Sequence, residues 1–113
     1  IHIGADFLLR DSYVKPRGIA FGITDSSFQW KTTKKVSHDI AGPLCFAGDY
    51  LAKNVLLPQA EETDIMILAG TGSNSYGLWS RHCSRDIPSF LAVDFDRKKV
   101  EKISPRLEAF QNF

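Results

Sequence analysis

Reactive chemistry in this chain concentrates at Cys45, within the stretch Ala41-Gly-Pro-Leu-Cys-Phe-Ala-Gly-Asp-Tyr50. Glycine tolerates unusual dihedrals, and proline fixes its own φ and lacks an N–H. Gly42-Pro43 therefore ends any regular ladder, and the residues after it lie on a turn. A cysteine on a turn can be reached by a ligand or partner, whereas one inside an apolar run is usually a small core residue.

Gly70-Thr71-Gly72-Ser73-Asn74-Ser75 is a second stretch of interest, because glycines among hydroxyl residues expose backbone N–H groups that can cradle a phosphate. Neither Gly-Lys-Ser/Thr nor the Gly-x-Gly-x-x-Gly spacing is present, so the stretch alone does not define a nucleotide loop. Other polar groups read as structural. Glu61 and Glu62 are adjacent in a turn and are expected to be solvated, as is the lysine-rich tip from Lys31 to Lys35. His38 lies on the apolar face of an alternating run and is expected to be a hydrogen-bonded core histidine. No Cys or His sits at ligand spacing from it, and no metal site is expected. His82 and Cys83 are neighbours in sequence, and neighbours point in different directions on most backbones.

Period-two alternation supplies the elements that must hold these groups. Ile19, Phe21 and Ile23 alternate with Ala20 and Gly22, and Val36, His38 and Ile40 alternate with Ser37 and Asp39. Strands are expected there, at Ile65–Ala69, at Ser89–Phe95 and at Val100–Ile103, with a further strand over 6–14 and a short edge strand near Phe28–Trp30. The stretch 49–57 is compatible with a strand or a helical turn. Ser104 and Pro105 make a good N-cap and N1 pair, and Leu107, Phe110 and Phe113 then fall on one side of a short terminal helix. The expected fold is all-β, a Greek-key β-barrel or sandwich with a short C-terminal helix, its core including Phe21, Ile40, Ile67, Leu91 and Val93. There is no room for the crossover helices of a parallel sheet.

With 113 residues the chain is expected to form one domain, 1–113. Its 43% hydrophobic and 24% charged residues exclude a disordered tail. A net charge of +1 argues against a nucleic-acid surface. The apolar runs are too short to cross a bilayer, and no targeting segment is visible. The opening Ile1-His2-Ile3 reads as an interior strand, as in a processed or excised piece. Cys45 and Cys83 are read as reduced thiols in a cytoplasmic protein.

Gly42-Pro43-Leu44-Cys45, then Asp49, Leu57-Pro58 and Thr63-Asp64 before the apolar run Ile65–Leu68, resembles the C-terminal domain of the pyridoxal-phosphate-dependent decarboxylases of diaminopimelate, ornithine and arginine. The family pattern is Gly-Pro-x-Cys-(Asp/Glu)-x-x-Asp, followed by Leu-Pro, Gly-Asp, a strand and a Gly-Ala-Tyr turn. The match covers residues 36 to 95 well, and Ser84-Arg85-Asp86-Ile87-Pro88 resembles the segment before the next strand. The resemblance implies that a separate α/β-barrel domain of the same protein supplies the lysine that holds pyridoxal 5'-phosphate, while the β domain of a partner subunit closes the active site of a homodimer. It implies that Cys45 returns a proton to a small amino-acid substrate; an ordinary thiol pKa of about 8.5 suits that task. It also implies cofactor contacts from Gly72, Asn74 and Tyr76, and substrate contacts from the positions of Phe46 and Asp49. The isolated chain is expected to be inactive.

Two residues depart from the family pattern. Phe46 stands where the family has an acidic residue that recognises the distal amino group of the substrate, and Asn74 stands where the tyrosine of Gly-Ala-Tyr would be. These departures admit a second reading, in which the chain belongs to a non-catalytic homologue that acts as a binding or regulatory partner.

Overall fold

The alternating runs form strands in the computed structural model, which describes residues 1–8, 19–72 and 75–107. Six strands are described: β1 (Ala20–Thr24), β2 (Lys35–Ala41), β3 (Tyr50–Pro58), β4 (Ile65–Ala69), β5 (Phe90–Asp94) and β6 (Lys99–Ser104). The helical content among the described residues is two 3-10 turns, Tyr76–Leu78 and His82–Ser84. The regular structure of the described residues is thus mostly strand, as the alternation predicts. Its strands pair two by two and antiparallel, β1 with β4, β2 with β3 and β5 with β6. No closed barrel forms among the described residues. None of their helices is long and apolar enough to cross a membrane.

Two compact units make up the chain, Ile1–Ser80 and Arg81–Phe113. In the first, Leu8, Ile23, Ile40, Leu51 and Leu57 form the buried cluster, with Phe21, Val55 and Met66 packed against it. The β2–β3 ladder departs from simple register. His38 pairs with Val55 and Ile40 with Ala52, so Lys53 and Asn54 together oppose Asp39. A bulge of this kind bends a strand and re-aims its side chains. Asp39 stabilises it by accepting the Asn54 N–H at 2.9 Å, and Asn54 takes a left-handed φ of 57°, which asparagine tolerates better than most residues. The next pair is Ala41 with Tyr50, which leaves Leu51 as a second inserted residue, turned into the core and 1% exposed.

Gly22 faces the ring of Trp30, which lies where a Cβ would be, so β1 has the closely approached face that its Ala-Gly pattern implies. Trp30 itself makes one bridge, to Thr24. His38 is half-buried, its Nδ1 3.0 Å from the Val36 carbonyl oxygen while its Nε2 accepts the Ala60 N–H at 3.3 Å. That is the hydrogen-bonded histidine the alternation predicts.

Lys31 differs from the solvated lysine expected. Its ammonium donates to Asp64 Oδ2 at 2.6 Å and lies 3.6 Å from Glu61 Oε2, joining the β1–β2 connection to the turn before β4. The Asp64 hydrogen bond raises the Lys31 pKa, and the Lys31 hydrogen bond lowers that of Asp64, with the Glu61 N–H adding to the latter at 2.7 Å. A depressed carboxyl contributes stability above its unfolded pKa and loses it as pH falls through the folded value. A raised ammonium contributes below its unfolded pKa and loses it as pH rises through the folded one. Lys31→Met is therefore expected to lower the melting temperature most near neutral pH. The gap to the unaltered protein should begin to narrow as pH falls below about 4 or rises above about 10.5 and close only beyond the shifted folded values, as melting curves across pH would show. A gap independent of pH would assign the loss to packing of the lysine stem.

Two expectations, of the core and of the C-terminal helix, are corrected. Leu91 and Val93 lie on the β5–β6 hairpin with more than half of their surface exposed, and Ile67 on β4 is also exposed; Phe21 is half-buried and Ile40 buried. Alternation separates the two faces of a strand, but it does not say which face another element covers. Leu107 is extended and exchanges both backbone hydrogen bonds with Ile87, at 3.0 and 3.1 Å, so the C-terminal helix does not begin at Pro105. Residues 108–113 of that expected helix lie outside the described residues, as do 9–14 of the strand expected over 6–14. The preceding Gly4–Leu8 segment is a turn in which the Phe7 and Leu8 N–H groups donate to the Gly4 carbonyl oxygen.

Candidate functional site

Strand β2 ends at Ala41, and the chain returns as β3 at Tyr50. The intervening turn is closed by the Gly42 N–H donating to the Asp49 carbonyl oxygen at 2.8 Å and by the Asp49 N–H donating to that of Phe46 at 3.3 Å. The Asp49 side chain turns inward and is 3% exposed. Its Oδ2 accepts the Leu44 N–H and its Oδ1 the Ala5 N–H, each at 2.7 Å. Charge-assisted hydrogen bonds of this kind are about twice as strong as neutral ones. Leu44 is buried and pins the turn, while Cys45, the next residue, is exposed and a thiol. The Phe46 ring folds back over Gly48, where it would meet any added Cβ, and is half-buried.

Gly4 and Gly42 flank the Asp49 carboxylate so closely that a methyl group on either would overlap its oxygens. Gly42 has no left-handed φ; among the described glycines only Gly70 does, at 80°. The requirement at position 42 is space rather than the dihedral freedom expected of it. Ala5 and Asp6 were invisible to sequence reasoning as parts of this arrangement. Ala5 is 44 residues from Asp49, and Asp6 caps the same turn by accepting the Gly4 N–H at 3.1 Å.

The candidate cofactor contacts lie elsewhere, after β4. Gly70 turns the chain, Gly72 is exposed and would have open space around an added Cβ, and Asn74 lies outside the described residues. Ser75 is buried, its hydroxyl donating to the Thr71 carbonyl oxygen, and Tyr76 opens the 3-10 turn with 57% of its surface exposed. An open glycine and an exposed phenol suit an edge contact to a phosphate held by other residues. The structure thus brings Cys45, Phe46 and Asp49 into one turn and Gly72 and Tyr76 into another. His82 and Cys83 fall on the second 3-10 turn, where Cys83 has a left-handed φ of 58°.

Comparison with known proteins gives this arrangement its relatives. Residues 6–72 match the family model described as pyridoxal-dependent decarboxylase, C-terminal sheet domain. A diaminopimelate decarboxylase of Synechocystis sp. is 38% identical over 55 residues, which is 49% of this chain and 12% of that protein. The enzyme of the same name from Campylobacter jejuni is 32% identical over 56 residues, covering 50% of this chain and 14% of its own length. The chain therefore spans about an eighth of these relatives. A solved diaminopimelate decarboxylase structure from Helicobacter pylori, complexed with L-lysine, shares the fold at a TM-score of 0.80 and 22% identity, over 97% of this chain and 25% of that one. With residues 6–72 matched, more than half of its length, the chain belongs to the family of pyridoxal-dependent decarboxylase C-terminal sheet domains.

Proposed function

We propose that residues 1–113 are the C-terminal β domain of a cytoplasmic, pyridoxal-phosphate-dependent amino-acid decarboxylase, and that the turn bearing Cys45 completes an active site across a homodimer interface. The observation that carries this reading is the exposed Cys45 thiol on a turn whose backbone is held by a buried carboxylate, inside the segment that matches the family. Pyridoxal phosphate, held by an α/β-barrel domain of the same protein, supplies the electron sink that lets carbon dioxide leave. Cys45 holds a proton at Sγ and returns it to the reacting carbon. Gly72, Asn74 and Tyr76 contact the phosphate edge. Phe46 presents an apolar ring where a carboxylate would otherwise pair with a distal ammonium, so the preferred substrate is an amino acid whose far end lacks the ammonium group that ornithine and diaminopimelate carry.

The test is carbon dioxide release by the full-length protein loaded with pyridoxal phosphate. It would be offered diaminopimelate, ornithine and arginine alongside amino acids with apolar or uncharged distal ends. Turnover of at least one is expected, with kcat/KM favouring the second group. A loaded protein that releases carbon dioxide from none of them would replace this reading with that of a non-catalytic homologue, which the missing carboxylate at Phe46 favours.

A further inference from the structure

We infer that Asp49 is a positioning residue for Cys45, its buried carboxylate clasping the Cys45 turn to the Gly4-Ala5 turn and so setting where the thiol stands. The inference rests on the proposed function for the task of the thiol, but on geometry alone for the clasp. The Leu44 N–H that Oδ2 accepts belongs to the Pro43–Leu44 peptide, so this hydrogen bond fixes the backbone one peptide ahead of the unit that carries the thiol. Oδ1 is engaged from the other side by Ala5, and Ala5 belongs to a segment that is itself anchored by the Asp6 carboxylate. Gly4 and Gly42 leave room for the carboxylate and for nothing larger. With 3% of its surface exposed and an N–H donor on each oxygen, Asp49 has no face to offer a substrate.

Two donors arriving at two oxygens require a carboxylate. An asparagine has one acceptor oxygen, and its NH2 group would face an N–H across the second contact. Asp49→Asn should therefore preserve the size of the side chain while releasing one arm of the clasp.

The experiment uses Asp49→Asn in the full-length protein, with two readouts. Alkylation of Cys45 by iodoacetamide, followed by mass spectrometry of its peptide, should accelerate by about threefold or more in protein that circular dichroism shows to be folded. In turnover, kcat should fall by about tenfold or more with KM little changed, because proton return is misplaced while substrate binding is not. A raised KM with an unchanged Cys45 alkylation rate would make Asp49 a substrate contact and overturn the inference, as would wild-type values of both. If Cys45→Ala leaves turnover intact, the proposed function loses its proton donor, yet the alkylation result still decides the clasp. Should Asp49→Asn fail to fold, amide hydrogen exchange on the unaltered protein serves instead: the Ala5 and Leu44 N–H groups should be protected together, and rapid exchange at Leu44 in the folded protein would overturn the inference.

Discussion

Gly42→Ala is expected to destabilise the first unit by about 3 kcal/mol, far more than a glycine-to-alanine change at an ordinary position. The added methyl overlaps the oxygens of Asp49, a side-chain end that cannot simply swing aside because it holds the Leu44 and Ala5 N–H groups. Displacing it gives up at least one hydrogen bond to a charged group, about 1.5–3 kcal/mol, and leaves a buried N–H without an acceptor at a further cost of about 1–3 kcal/mol. Urea unfolding of the single and double mutants would measure this. Since the cost arises through the carboxylate, Gly42→Ala should be nearly neutral when Asp49 is already alanine. Additive costs in that cycle would mean that the clash with Asp49 is not its cause.

Under the proposed function, Cys45→Ala should slow turnover of the full-length protein by about 10²-fold or more while leaving its affinity for pyridoxal phosphate within a small factor. Positioned general acids contribute about 10²–10⁴-fold, and the thiol is exposed on its turn. The turn itself should survive, because the clasp is made by the backbone of Leu44 and Ala5 and not by the thiol. Steady-state kinetics together with deuterium incorporation into the amine product in D2O would read both rate and proton delivery. Unchanged rate and unchanged label in the product would remove Cys45 from the reaction.

Much of the local architecture was legible because it depends on neighbours in sequence. Period-two alternation placed β1, β2 and β5, and the apolar run Ile65–Ala69 placed β4, within a residue or so of their observed ends. Gly42-Pro43 marked the turn that exposes Cys45, and the Gly-Pro-Leu-Cys and Asp49 pattern pointed to the family whose model matches residues 6–72. The stretch 49–57, compatible with a strand or a helical turn, became the nine-residue strand β3, because pairing with β2 outweighs weak local preference. The apolar spacing after Pro105 suggested a helix, yet Leu107 is extended, since two hydrogen bonds to Ile87 offer its backbone a partner that spacing cannot reveal.

By itself the sequence determined the strand-rich class, the exposed cysteine turn and the family, all properties set by residue type and short-range spacing. Only the tertiary structure decided that the Asp49 carboxylate faces Ala5 and Leu44, that Lys31 pairs with Asp64 thirty-three residues away, and that Leu51 is inserted into the core while Leu91 and Val93 stay exposed. Each of those outcomes depends on which distant segment arrives on a given face. A carboxylate, an ammonium or an alternating strand looks the same in sequence whether that face meets backbone amides, a counter-charge or water.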